Sequence, residues 1–516
     1  MGNNVYEGTI NGDGDLIGEF KKIYENIEFI GFKFSKDIWE NEKPNITQKL
    51  IKSLEEKSLT GQFSNLKKLW TQLVSDAIVF LKHEDEREEK EHDAFAFGVD
   101  TLSRFFDTFG SFEQYMSPVL TKTRDHIAHV MRVYMLGAIA LKKMDIGLVG
   151  CGDVKKKADD TEKGLQIYDS EKEAMWCIMA LCHDLGLVME NVFNVNREAR
   201  KMFDQLGRIS MKELEFGLSP MFQHMCLNTL RLISSDLHLV KNGITQTSAI
   251  SGDAESTDKK KNIVETKYIV HTQYKYYLKF LNALDSYDHG VLSCIILIKN
   301  LVYFLESDFL LDTVKPFSTR DAQQFLVRKT ILKSIASHNC DSIYHLSLMT
   351  FPFLLVLFDE MQEWDRPRPY MSFQDGRLNA KLTVNYLGDK KADFIITFSE
   401  GDVKTCHREV YEFAKHKFTR FAKLLRSAVT DPTKQFEFHF EIRDETDEKE
   451  WSYALTHISP KPDSLSSSGI DIKFPEENEK WRKMVRIEYP DDFKEYEIAE
   501  DPKKEIDWFN WLIRSY

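Results

Sequence analysis

Apolar positions recur at helical spacing through most of the chain and switch to strict alternation only in its last third. Ile51, Leu54, Leu59, Phe63, Leu66, Leu69 and Leu73 stand among polar residues three to five apart, so residues 1–112 read mostly as helix. From 113 to 370 the pattern predicts long helices, interrupted by polar stretches at 152–163 and 242–262 that are expected to be surface loops. After Arg366-Pro367-Arg368-Pro369 the period becomes two. Residues 378–387, 392–400, 435–444 and 484–490 alternate like half-buried antiparallel strands, with a hairpin turn at 388–391 and a helix at 408–428. The expected architecture is mainly α: a helical N-terminal extension (1–112), an all-helical core (113–370) and a C-terminal α+β domain with an antiparallel sheet (371–516).

Composition narrows the class. Acids exceed bases by 13, a balance that opposes binding to duplex nucleic acid, where a basic surface must replace counterions. The longest mainly apolar run, Leu346 to Phe358, falls short of the ~20 residues a bilayer requires, so no membrane association is expected. The opening MGNNVYEG lacks an apolar signal stretch and has Tyr6 where a myristoylation signal takes Ser or Thr. Seven cysteines without any CxxC pair fit a reduced, cytoplasmic setting. The charge run at 83–93 reads as a solvated face, and the apolar end at 506–516 as a short helix that docks on another surface, a second subunit included. GDGDLIG (12–18) resembles a phosphate loop but is read without the preceding strand such a loop needs. His407, His416, His439 and His457 are scattered over the C-terminal domain and read as surface or packing residues.

The chemistry concentrates in the helical middle. His126 and His129 share nearly one face of a helix in 123–141. His183 and Asp184 end an apolar helix, His289 opens another, His338 closes a third, and Asp359 follows the apolar stretch Phe353–Phe358. A carboxylate in that last position is costly unless a cation or donor meets it. Imidazole and carboxylate together are the ligands expected for divalent Mn, Fe, Ni, Mg or Zn, and helical bundles build such sites from inward-facing side chains.

The ordered set His129, His183-Asp184, His289, His338, Asp359 resembles the HD superfamily of metal-dependent phosphohydrolases over about residues 120–370. The segments His289-Gly290-x-x-Ser293-x-x-x-Leu297 and Asp359-Glu360-x-Gln362-x-Trp364-x-Arg366-Pro367 carry the same likeness. The resemblance implies an all-helical core and one or two divalent ions. His129, His183, Asp184 and Asp359 would hold the first ion, and Asp184, His289 and His338 the second. Asp184 and His183 would be central to catalysis, and a metal-activated bridging water would attack a small phosphorylated or nucleotide-like substrate. The first ligand is open between His126 and His129. The family places an aliphatic residue four positions on and a small one eight positions on; Val133 and Gly137 fit from His129, whereas Tyr134 does not fit from His126. His126, Arg124 and Arg366 are the candidate substrate contacts. The chain departs from the cyclic-dinucleotide, dNTP and alarmone subgroups, having no Gly-Tyr-Pro after His338, no His-rich run after Leu185-Gly186 and no Glu-Asp pair. A metal-bound sensor without catalysis, or a di-iron oxygenase, are the competing expectations.

Overall fold

The computed structural model describes residues 6–30 (save 25), 59–86, 98–116, 126–147 (save 145), 167–205, 219–240, 267–307, 316–340, 348–364, 380–399, 407–426, 436–445, 451–458 and 469–475, with isolated positions 49, 52, 165, 311, 480, 483, 484 and 486. The helices are α1 (Asp13–Tyr24), α2 (Leu59–Glu86), α3 (Val99–Met116), α4 (His126–Leu141), α5 (Asp169–Cys182), α6 (Leu187–Gln205), α7 (Pro220–Ser234), α8 (Tyr274–Asp285), α9 (His289–Asn300), α10 (Thr319–Ser337), α11 (Phe351–Met361) and α12 (His407–Arg426). The strands are β1 (Tyr6–Ile10), β2 (Ser235–Val240), β3 (Lys267–Thr272), β4 (Ala380–Gly388), β5 (Lys391–Ser399), β6 (Glu437–Glu445), β7 (Trp451–Ile458) and β8 (Gly469–Lys473). The described chain is mostly helical, with the main sheet in its last third.

Helices α4, α9 and α11 are apolar on almost every side and, with the largely buried α5 and α10, form the centre, packing α4 on α5, α9 on α10, and α11 on both α4 and α10. Close approach depends on Gly137. A Cβ there would fall inside the ring of Trp176, which is fully buried and donates its Nε1 proton to the Tyr134 carbonyl at 2.9 Å. Because that ring is held, Gly137→Ala is expected to destabilise the fold by ~1–3 kcal/mol, read as a lowered urea midpoint with unchanged slope. An unchanged midpoint would mean that Trp176 has room to move.

The main sheet runs β1-β4-β5-β6-β7-β8. The β4–β5 hairpin turns at residues 389–390 as expected, and Phe394, Phe398, Phe438 and Phe440 line a buried face with α12 against it. Three features differ from the sequence expectations. The sheet is mixed, because β5 and β6 pair in parallel around the α12 crossover. A short hairpin, β2–β3, interrupts the helical middle where no strand was expected. The run expected as a strand at 484–490 is helical at 484 and 486, the described positions within it; so short an alternation is too little to separate the two periods.

The N-terminal segment belongs to both parts of the molecule. Strand β1 pairs antiparallel with β4 at the sheet edge, burying Tyr6 and Ile10, so a strand does precede the glycines at 12 and 14. Five residues containing Gly8 carry too little alternation to announce it. No phosphate cradle follows, because acids occupy the start of α1: Asp15 accepts the Asn11 amide at 2.9 Å, and Asp13 takes Arg132 of α4 in a bidentate pair at 2.7 Å. Asp13 also accepts Trp364 Nε1, and α2 packs on α5, where Trp70 Nε1 donates to the Leu181 carbonyl.

One stretch, Asp169–Phe203, has the length and hydropathy of a membrane-crossing helix. The apolar window that gives it this hydropathy is mostly buried within the fold, and a turn at 183–186 containing His183 and Asp184 breaks the stretch. Of the predicted loops, 152–163 and 242–262 lie outside the described residues, as does the predicted helix at 506–516. Among the described residues five cysteines are free and buried.

Candidate metal centre

Each predicted ligand sits at a helix end or one turn from it. His183 is the C-cap of α5 and Asp184 follows in the turn; His338 is the C-cap of α10. His289 is the first residue of α9, where Asp288 caps the helix by accepting the Val291 amide. Gly290 allows α9 to meet α10 here, since a Cβ would stand 2.7 Å from the Ile335 carbonyl oxygen. Tyr287 and Met349, both with left-handed backbone, turn the chain into α9 and α11. His129 lies in the first turn of α4, and Asp359 near the end of α11.

The six side chains converge. His129, His183 and Asp359 form one group with ligand atoms within 4.8 Å of one another, and His183, Asp184 and His338 form another. His129 Nε2 lies 2.9 Å from Asp359 Oδ1 and 3.9 Å from Asp184 Oδ2, while His183 Nε2 is 3.4 Å from Asp184 Oδ2. The second oxygen of Asp184 faces the other way: Oδ1 is 3.4 Å from His289 Nε2 and 3.6 Å from His338 Nε2. The two carboxylate oxygens of Asp184 thus address two different sets of imidazoles.

The outer ring nitrogens decide what the inner ones can do. His183 Nδ1 lies 2.9 Å from the Ala180 carbonyl, and His338 Nδ1 lies 2.6 Å from that of Ile335; both can only donate. His289 Nδ1 meets the Glu190 carboxylate at 2.5 Å, with the Asn339 amide also 3.0 Å away. His129 Nδ1 meets Gln362 Oε1 at 2.6 Å; Gln362 uses its own amide protons on the Trp364 carbonyl, which fixes Oε1 as an acceptor. When their Nε2 atoms are deprotonated, four imidazoles so arranged direct four lone pairs inward, alongside two carboxylates. His289 and His338 oppose each other at only 3.1 Å between Nε2 atoms, and His183 Nε2 is buried without a hydrogen-bond partner. A centre made only of acceptors repels itself unless cations enter it, and the outer contacts are those that orient metal-binding histidines. The buried histidines and aspartates can therefore hold a metal ion.

Electrostatics point the same way. Burial raises the pKa of Asp184 and Asp359, yet the facing histidines outweigh it and hold both well below the usual carboxylate range. Burial disfavours charge on His183, but Asp184 and Asp359 overcome it and bring its pKa up to about 10; His289 is raised by Glu190 and Asp184 against the same burial. The centre attracts positive charge, and protons and metal ions compete for it.

Several residues support the centre in ways the sequence does not announce. Glu190 lies one turn into α6, in the Leu187-Val188-Met189-Glu190-Asn191 stretch that follows Leu185-Gly186. Ser293, within the His289-Gly290 motif, donates to the His183 carbonyl at 2.6 Å and accepts the Gly186 amide at 2.8 Å. The C-terminal unit reaches the same place through α12. Arg420 donates to the His338 carbonyl at 2.7 Å and pairs with Glu360, beside Asp359. Buried Lys417 donates to the Glu360 carbonyl and to the carboxylates of Glu360 and Glu363, at 2.5–2.7 Å. Burial raises the Glu360 pKa, but Lys417 and Arg420 prevail and bring it down to about 2. No sequence pattern signals this contact, which joins residues 57 apart.

His126 is buried one turn before His129, with its ring edge-on to Phe109, and is not in either ligand group. Arg124 and Arg366 lie outside the described residues. The C-terminal histidines take local roles: His407 pairs with buried Asp444, His439 with Asp393, and His457 is buried on the inner face of the sheet. Comparison with known proteins finds no matching family model, no matching curated relative and no matching solved structure.

Proposed function

We propose that the chain is a metal-dependent phosphohydrolase of the HD type, acting on a small phosphorylated or nucleotide-like substrate in a reducing compartment such as the cytoplasm. The carrying observation is the inward-facing set of four imidazoles and two carboxylates, in the family's order along the chain, with every outer ring nitrogen held. His129, His183, Asp184 and Asp359 would hold one ion, and Asp184, His289 and His338 a second. Divalent ions in such a site polarise phosphoryl oxygens and lower the pKa of a bound water towards neutrality. The chain's own contribution is positioning. Gln362, Glu190 and the Ala180 and Ile335 carbonyls fix the four rings with Nε2 inward. Glu190 also accepts the His289 backbone amide at 3.1 Å, which ties α6 to the start of α9. The four imidazoles and Asp184 are buried, which limits the access of bulk water to them.

The test is elemental analysis of the purified chain combined with a screen of phosphomonoesters and phosphodiesters. One to two equivalents of transition metal, a melting temperature lowered by chelator, and hydrolysis of at least one phosphoester support the reading. Metal without hydrolysis favours the sensor, and visible absorbance in aerobically purified protein with oxygen consumption favours the di-iron oxygenase. Neither metal nor a chelator effect would sink all three. The ligand register has its own check. His129→Ala should strip metal, whereas His126→Ala should retain it; the reverse result would move the first ligand by three residues.

A further inference from the structure

Helix α10 carries His338 at its end and, five residues earlier, a second feature with no part in the metal centre. Lys333 is only 8% exposed, and its ammonium makes no hydrogen bond or ion pair with any described residue; it faces the ring of Tyr276 on α8, at 5.3 Å. One turn back on α10, Lys329 is fully buried and pairs with Asp236 of β2. The other Asp236 oxygen takes the Gln273 amide, so both carboxylate oxygens are engaged by groups other than Lys333. Among the described residues, Asp236 is thus the carboxylate that faces both ammonium groups. Burial and the neighbouring Lys329 lower the Lys333 pKa to about 8, against the pull of Asp236, which leaves it mainly charged at neutral pH. A buried charge without a counterion is costly, and lysine is a common point-charge partner of phosphate.

We propose that Lys333, with Lys329 beside it, forms an oxyanion site that takes the phosphate or carboxylate group of a small ligand between α8, α10 and β2. The site lies about 7.5 Å along the helix axis from His338 and does not depend on metal. An oxyanion there supplies the missing negative charge and accepts the hydrogen bonds that Lys333 otherwise lacks. Tyr276 backs the lysine, adding a cation–π contact that holds the ammonium in place.

The experiment is a thermal melt of the full-length chain, as purified and again with EDTA, in chloride, inorganic phosphate or malonate at matched ionic strength. The expected result is a saturable rise in melting temperature with phosphate, malonate or both, unaffected by EDTA, as for any ligand that binds only the folded state. Phosphate alone identifies a phosphoryl ligand, and malonate alone a carboxylate. Lys333→Met should melt at or above the wild type in chloride and lose the oxyanion response. An equal response in Lys333→Met, or none in the wild type, overturns the site. If Lys333→Met fails to fold, acylation footprinting of the wild-type chain by mass spectrometry decides: protection of Lys333 by the oxyanion supports the site, and unchanged labelling refutes it.

Discussion

Asp184→Ala should lose bound metal and reduce hydrolysis by more than about 100-fold while leaving the helical circular-dichroism signal intact. Residues that merely orient a metal ligand cost about 10–100-fold in affinity or activity when removed, so a ligand facing both halves of the centre must exceed that range. Asp184 faces both sets of imidazoles, with Oδ1 towards His289 and His338 and Oδ2 towards His129 and His183. Glu190→Gln and Gln362→Ala supply the comparison, since each touches only one ring. They should fall within the smaller range. An Asp184→Ala chain that hydrolyses at the parent rate would place the activity elsewhere, whatever the fold.

Lys417→Met should destabilise the fold by ~3–5 kcal/mol, the usual cost of removing one partner from a buried ion pair. Its ammonium meets the buried carboxylates of Glu360 and Glu363, and methionine supplies length without charge. Adding Glu363→Gln to Lys417→Met should recover part of the loss, because the orphaned carboxylate is then neutral. Denaturant titration of the single and double variants measures the coupling directly. Wild-type stability in Lys417→Met would show that the carboxylates find other partners. Because Glu360 adjoins Asp359, and Arg420 on the same helix holds the His338 carbonyl, metal affinity should fall along with stability.

Much of the helical architecture was legible because it rests on local periodicity. The apolar runs of α4, α5, α9 and α11 leave little alternative to burial, and the β4–β5 hairpin shows both alternation and a two-residue turn. Strand β1 was not legible, since its pairing partner lies more than 370 residues away and its own five residues barely alternate. The β2–β3 hairpin escaped for a related reason: β2 continues directly from α7, so no turn residue marks the change.

The sequence by itself determined which residue types could form the centre and their order along the chain. Histidines and aspartates beside apolar helices need compensation when buried, and six of them in series left few ways to supply it. Tertiary structure decided the rest. It placed His129 in the cluster and His126 against Phe109, because Gly137 lets α4 approach Trp176 in one register. It turned four imidazoles inward by giving each Nδ1 a partner from elsewhere in the fold or from the preceding helical turn. It also brought Lys417 and Arg420 behind Glu360 and His338. Such contacts depend on where helices meet in space, and helical periodicity reports only which face is buried, not what it will be buried against.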